Sequence, residues 1–125
     1  MAAQNEDITH RVIGCAIRVH RNLGPGLYET IYQACLAKEL VKARLHHEGQ
    51  VAVSVTYDGE HLPAAFRADF IVENELIVEI KSIDHVLPIH QRQVLTYMKL
   101  SGIRTGILFN FNVTILKQGI KRFVL

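Results

Sequence analysis

The chain has no apolar run approaching the roughly 20 residues needed to cross a bilayer, so no membrane span is expected. Nothing at its N-terminus resembles a secretion signal. It has only two cysteines. Cys15 and Cys35 stand in helix-like stretches at no metal-ligand spacing, and the histidines show no zinc spacing either. Both thiols read as small core residues, and the expected setting is reduced and cytoplasmic. A strong excess of Lys and Arg is also missing. The formal charge is +2, which excludes a dedicated nucleic-acid packer but names no partner. There is no low-complexity segment and no internal repeat.

What is present is a chain of 125 residues, 49% hydrophobic, enough for one buried core and too short for two. From Glu6 to Leu23, apolar residues recur as Ile8, Val12, Cys15, Ala16, Val19 and Leu23, the spacing of one helix face. The breakers Gly24, Pro25 and Gly26 end it, and a second helical pattern runs from Leu27 to about Leu45. After Gly49 the period falls to two, predicting a strand through Val51, Val53, Val55 and Tyr57. Asp58-Gly59 predicts a tight hairpin into a strand covering Ala64 to Val72, with Pro63 marking an edge or a bulge. Leu76 to Ser82 is nearly all apolar and reads as the buried centre of the sheet. A helix from Pro88 to about Leu100 stops at Gly102, and strands over 105–113 and 120–125 follow. Hairpin-joined strands are antiparallel, whereas a strand arriving after a helix can join in parallel, so a mixed sheet is expected.

Within this apolar setting three charges stand out. On a strand, residues two apart share a face, so Glu79 and Lys81 point the same way. Asp69 opposes Glu79 if the intervening turn has an odd number of residues, such as Glu73 to Glu75; a two-residue turn would oppose Asp69 to Val78 instead. In the odd register two carboxylates lie about 5 Å apart at Cβ, where repulsion is costly without a cation between them. Carboxylate oxygens with a backbone carbonyl and waters suit Mg²⁺ or Mn²⁺ rather than Zn²⁺. Lys81 would then orient water or offset developing negative charge. The plainer reading is a solvated Glu-x-Lys face with a weak ion pair.

The helices offer supporting residues. Glu29, Tyr32, Leu36, Leu40 and Ala43 form one stripe, while Leu27, Ile31 and Ala34 form a rival that would leave Glu29 as a first-turn acid complementing the helix dipole. His90, Gln93 and Tyr97 share a helix face with Val94, either over a polar site or on an exposed shoulder. His20 sits near the end of the first helix, where a cap or surface role is common.

With these residues identified, "GLYETIY" at Gly26–Tyr32 resembles the motif that names the GxxExxY protein family, and "VHRNLGPG" resembles its lead-in. "LPIHQRQVLTYMKLSG", "LFNFNV" and "GIKRFVL" extend the likeness over nearly the whole chain. The family is placed in the PD-(D/E)XK nuclease superfamily. The resemblance implies an α/β fold with a restriction-endonuclease-like core, a mixed sheet of about four to five strands flanked by helices in the order ααβββαββ, and a single domain over residues 1–125. It further implies a nuclease hydrolysing phosphodiester bonds, with Asp69, Glu79, the Ile80 carbonyl and Glu29 around Mg²⁺ or Mn²⁺. Lys81 would be the catalytic lysine, Gln93 and Tyr97 the helix motif, and His20, Tyr32 and His90 accessory positions. Ala68 stands where the superfamily name has proline.

The implied partner is nucleic acid, DNA ahead of RNA. A domain this small would dimerise or be delivered within a larger nuclease or repair complex. Two other readings remain. One is a non-catalytic module holding nucleic acid through Arg18, Arg21, Lys38 and Lys42. The other is an interaction subunit whose apolar segment Ile107 to Phe111 completes an interface.

Overall fold

The computed structural model describes the backbone of residues 2–125 and the side chains from Asp7 onward. In chain order the elements are α1 (Ala2–Leu23), α2 (Glu29–Lys42), β1 (His47–Tyr57), β2 (Glu60–Val72), β3 (Leu76–Lys81), α3 (Pro88–Ser101), β4 (Thr105–Asn110), a 3-10 turn (Leu116–Gly119) and β5 (Ile120–Val124). This is the expected order ααβββαββ with the 3-10 turn added. The strands form one sheet in the order β1-β2-β3-β4-β5. All pairs are antiparallel except β3 with β4, which the α3 crossover makes parallel. Among the described residues no helix is long and apolar enough to cross a membrane.

Turn chemistry sets the registers. Tyr57 pairs Glu60, so Asp58 and Gly59 alone make the β1–β2 turn, with φ of 51° and 76°. Two left-handed residues in a two-residue loop are what the strand twist favours. The β1–β2 register shifts between Val53 and Val55, opposite Pro63 to Ala65. The bulge expected at Pro63 is therefore there, with Ala64 at φ 55°. Val72 pairs Leu76, leaving Glu73, Asn74 and Glu75 as a three-residue turn. The odd register is the one adopted.

The sheet buries both faces. Against α1 and α2 pack Phe70, Val72, Val78, Ile80, Ile107 and Phe109. Against α3 pack Ala68, Ile77 and Leu108 with Val94 and Met98. β3, the central strand, is buried at every position except half-buried Lys81. Its unbroken apolar run follows from having helices on both sides. Ile107, Leu108, Phe109 and Phe111 are fully buried, so that segment is core rather than interface. The fourth strand ends at Asn110, short of the expected 113.

Tight packing is seen where β4 meets its neighbours. A Cβ on Gly119 would lie 2.1 Å from the Asn110 carbonyl oxygen. Only glycine lets the 3-10 turn approach the end of β4 that closely.

Candidate active site

The site begins at the β2–β3 turn. With Phe70 opposite Val78, the next step of the ladder sets Asp69 across from Glu79. Each acid holds the other's strand. The Asp69 N–H donates to Glu79 Oε1 at 3.2 Å, and the Ile80 N–H donates to Asp69 Oδ2 at 2.7 Å. Side-chain carboxylates thus continue the strand pairing where the backbone ladder stops.

The plain solvated-face reading of Glu-x-Lys fails on burial. Glu79 is only 6% exposed. Burial first, then the neighbouring Asp69 charge, push its carboxyl up from 4.5 to about 8, while the Lys81 charge acts the other way. Nor does Lys81 close an ion pair with either acid. The ion pairs among the described residues are Arg18–Glu39 at 3.0 Å and Lys42–Glu39 at 3.3 Å. Arg18–Glu39 ties α1 to α2 while Lys42–Glu39 lies within α2, and together they occupy two of the four cations that the sequence offered as a nucleic-acid patch.

These donors fit a small hard cation. One oxygen of each carboxylate is held by a backbone N–H, which fixes both rotamers while lone pairs on the acids remain for a ligand. The N–H and C=O of a strand residue lie on the same edge, so the Ile80 carbonyl points toward the gap its N–H shares with Asp69. Three oxygen donors with open positions for water suit Mg²⁺ or Mn²⁺. A cation between the two acids would also offset their mutual repulsion.

Tyr97 of α3 joins them. Its ring stacks on Phe66 with centroids 3.9 Å apart. Burial, then the charges of Glu79 and Asp69, push its phenol up, which puts it within the field of both acids. Gln93 is half-buried one turn earlier on α3, on the side of buried Val94.

The remaining expected residues divide. Tyr32, Leu36 and Leu40 are buried and Ile31 is 44% exposed, so the stripe headed by Glu29 faces inward. Glu29 itself is exposed. It is the first residue of α2 and precedes the first buried turn. Among the described residues no three His, Cys, Asp or Glu side chains converge, so Glu29 does not complete a three-acid cluster with Asp69 and Glu79. Its helix start still lies beside the site, because the Ser82 hydroxyl donates to the Leu27 carbonyl at 2.5 Å.

His20, Tyr32 and His90 each bond to backbone groups. His20 is buried, and its Nε2 donates to the Val113 carbonyl at 2.8 Å, a bond that requires the Nε2–H tautomer or the imidazolium. The Tyr32 hydroxyl donates to the Gly24 carbonyl at 2.6 Å, accepts from the Leu27 N–H at 3.2 Å, and its ring stacks on Phe111. It pins the Gly-Pro-Gly loop. His90 Nδ1 accepts the Leu87 N–H at 2.9 Å and caps α3.

Sequence reasoning missed three polar residues. Asn110, 3% exposed, accepts the N–H groups of Ile83 and Asn112 and donates to the Ile83 carbonyl, fixing the chain just past Lys81. Gln33 and Gln50 reach Asp69. Gln50 Nε2 donates to Asp69 Oδ1 at 3.3 Å and to Gln33 Oε1 at 2.9 Å, and Gln33 Nε2 donates to the Asp69 carbonyl at 3.4 Å. The β-propensity pattern around Gln50 carried no sign of this.

A family model described as the PD-(D/E)XK nuclease superfamily matches residues 6–123. A search of the curated proteins gives no match. Among solved structures, the chain is similar to the one titled "Crystal structure of SSO0001", at 27% identity and a TM-score of 0.51, over 76% of this chain and 48% of that one. The chain thus spans about half the length of the solved structure it matches.

Proposed function

We propose, because the chain belongs to the PD-(D/E)XK nuclease superfamily, that it is a divalent-metal-dependent nuclease hydrolysing phosphodiester bonds of nucleic acid, DNA foremost. The observation that carries this reading is the reciprocal pairing of Asp69 and Glu79, two acids each held by a backbone N–H of the other's strand. In the proposed site Asp69, Glu79 and the Ile80 carbonyl hold Mg²⁺ or Mn²⁺. Such an ion, when bound, acidifies a coordinated water and offsets charge on the scissile phosphate.

The chain's own groups do the rest. Glu79 gives up its proton as a condition of binding, so cation affinity rises with pH. Lys81, two residues on and on the same face, carries a compact ammonium able to hold the attacking water or a phosphate oxygen. Tyr97 lies on the α3 side within the field of both acids, with Gln93 one turn earlier on the same helix. Asn110 fixes the backbone beyond Lys81, which limits how far the ammonium can wander.

The test is incubation with single-stranded, duplex and branched DNA and with RNA in Mg²⁺ or Mn²⁺. Cleavage that disappears with chelator and in both Asp69→Ala and Lys81→Ala supports the reading. Cleavage that persists in either variant overturns this site.

One observation favours a second reading, a nucleic-acid-binding module without turnover: no third acid converges on the pair among the described residues. Salt-sensitive, chelator-insensitive binding with no cleavage would select it.

A further inference from the structure

Gln50 is where β1 departs from regular pairing. Gly49 pairs Phe70 and Val51 pairs Ala68, but Gln50 pairs with nothing and has φ 51°. A left-handed residue inside a strand is unfavourable for anything but glycine, asparagine or aspartate, and persists only where its surroundings hold it. The irregularity has a visible result. It brings the Gln50 amide to Asp69 Oδ1, within a closed ring whose other links are Gln33 and the Asp69 carbonyl.

The orientation of both amides follows from the acid. A carboxylate only accepts, so Gln50 must turn its NH₂ toward Asp69; its second N–H then meets Gln33 Oε1, and Gln33 is left with its own NH₂ for the Asp69 carbonyl. With Oδ2 already held by the Ile80 N–H, both oxygens of Asp69 have a donor. A carboxylate held at both ends has its plane fixed, and that plane aims its remaining lone pairs. Gln33 sits one helical turn after Glu29, so the ring also ties the start of α2 to the acid pair.

We infer that Gln50, braced by Gln33, is the positioning residue for the Asp69 carboxylate, trading a strained backbone for a fixed ligand orientation; the role rests on the reading of Asp69 as a cation ligand. The distinguishing variant is Gln50→Gly. Glycine adopts φ 51° without strain, so the backbone device is kept while the amide is lost.

The experiment measures three quantities on parent, Gln50→Gly, Gln33→Leu and Asp69→Ala: the thermal midpoint, the amide proton shift of Ile80 by NMR in chelator, and Mn²⁺ affinity by calorimetry. In Gln50→Gly the midpoint is expected to hold or rise. The Ile80 resonance should move toward its position in Asp69→Ala, and Mn²⁺ affinity should fall roughly tenfold, as for other residues that orient metal ligands. Gln33→Leu should shift Ile80 in the same direction by less. An Ile80 resonance unchanged in Gln50→Gly overturns the inference, as does a parent that binds Mn²⁺ while the variant binds it equally well. A parent that binds no Mn²⁺ but whose Ile80 resonance moves in Gln50→Gly sinks the nuclease site and upholds the positioning role.

Discussion

Raising the pH of the metal-free protein should destabilise it through Glu79. An ordinary glutamate ionises near 4.5, whereas this one is held to about 8 by burial and by Asp69. Below 4.5 the group is protonated in both the folded and the unfolded chain, and its stabilising contribution is fully present. Between those limits the folded chain binds one proton more than the unfolded chain, so stability falls as pH rises. The slope is at most about 1.4 kcal/mol per pH unit, on the order of 5 kcal/mol across the window. Against a typical total of about 5 to 15 kcal/mol, that is a large share. Urea denaturation in chelator from pH 5 to 9 measures it. Glu79→Gln, which keeps an oxygen for the Asp69 N–H but cannot ionise, should flatten this component of the profile. Adding Mn²⁺ to the parent at pH 8.5 should restore stability, because the ion replaces the proton. Parallel pH profiles for parent and Glu79→Gln would refute the buried, protonated acid.

Two further outcomes test the surroundings. The Tyr97 phenol, raised partly by Glu79 and Asp69, should titrate at lower pH in Asp69→Asn when followed by ultraviolet absorbance; an unchanged midpoint would place the ring outside the site. Tyr32→Phe removes the clamp on Gly24 and Leu27 and should lower urea stability by about 1 to 2 kcal/mol, with little change if the loop is held without it.

Much of this architecture could be read from residue order because its signals are local. The Asp-Gly turn, the apolar run of β3 and the breakers after α1 each act within a few residues. The pairing of Asp69 with Glu79 depended on turn parity, which spacing posed but could not decide; left-handed Glu73 and Asn74, with φ of 53° and 54°, make the three-residue turn possible. Where reading failed, the partner was distant or the backbone irregular. His20 resembles a helix-end residue until Val113, 93 positions away, closes over it. Gln50 lies in a period-two strand and would be assigned an outward face, but a left-handed kink redirects it. Ile107 to Phe111 has the apolar density of an interface for the same reason it is core: β4 has a layer on each side.

Because a short hairpin joins β2 to β3, the acid pair and the groups around it differ in how much chain must close to form them. Asp69 and Glu79 are ten positions apart along the chain, and the segment joining them is a short reversal that closes at small entropic cost. The tie from Ser82 to Leu27 spans 55 positions, and α3 brings Tyr97 only after its crossover has docked. The acids can therefore meet early, in a partly built chain, whereas the groups that surround them arrive only as long-range closure completes. Assembly in that order would put the electrostatic conflict first and the shelter around it last.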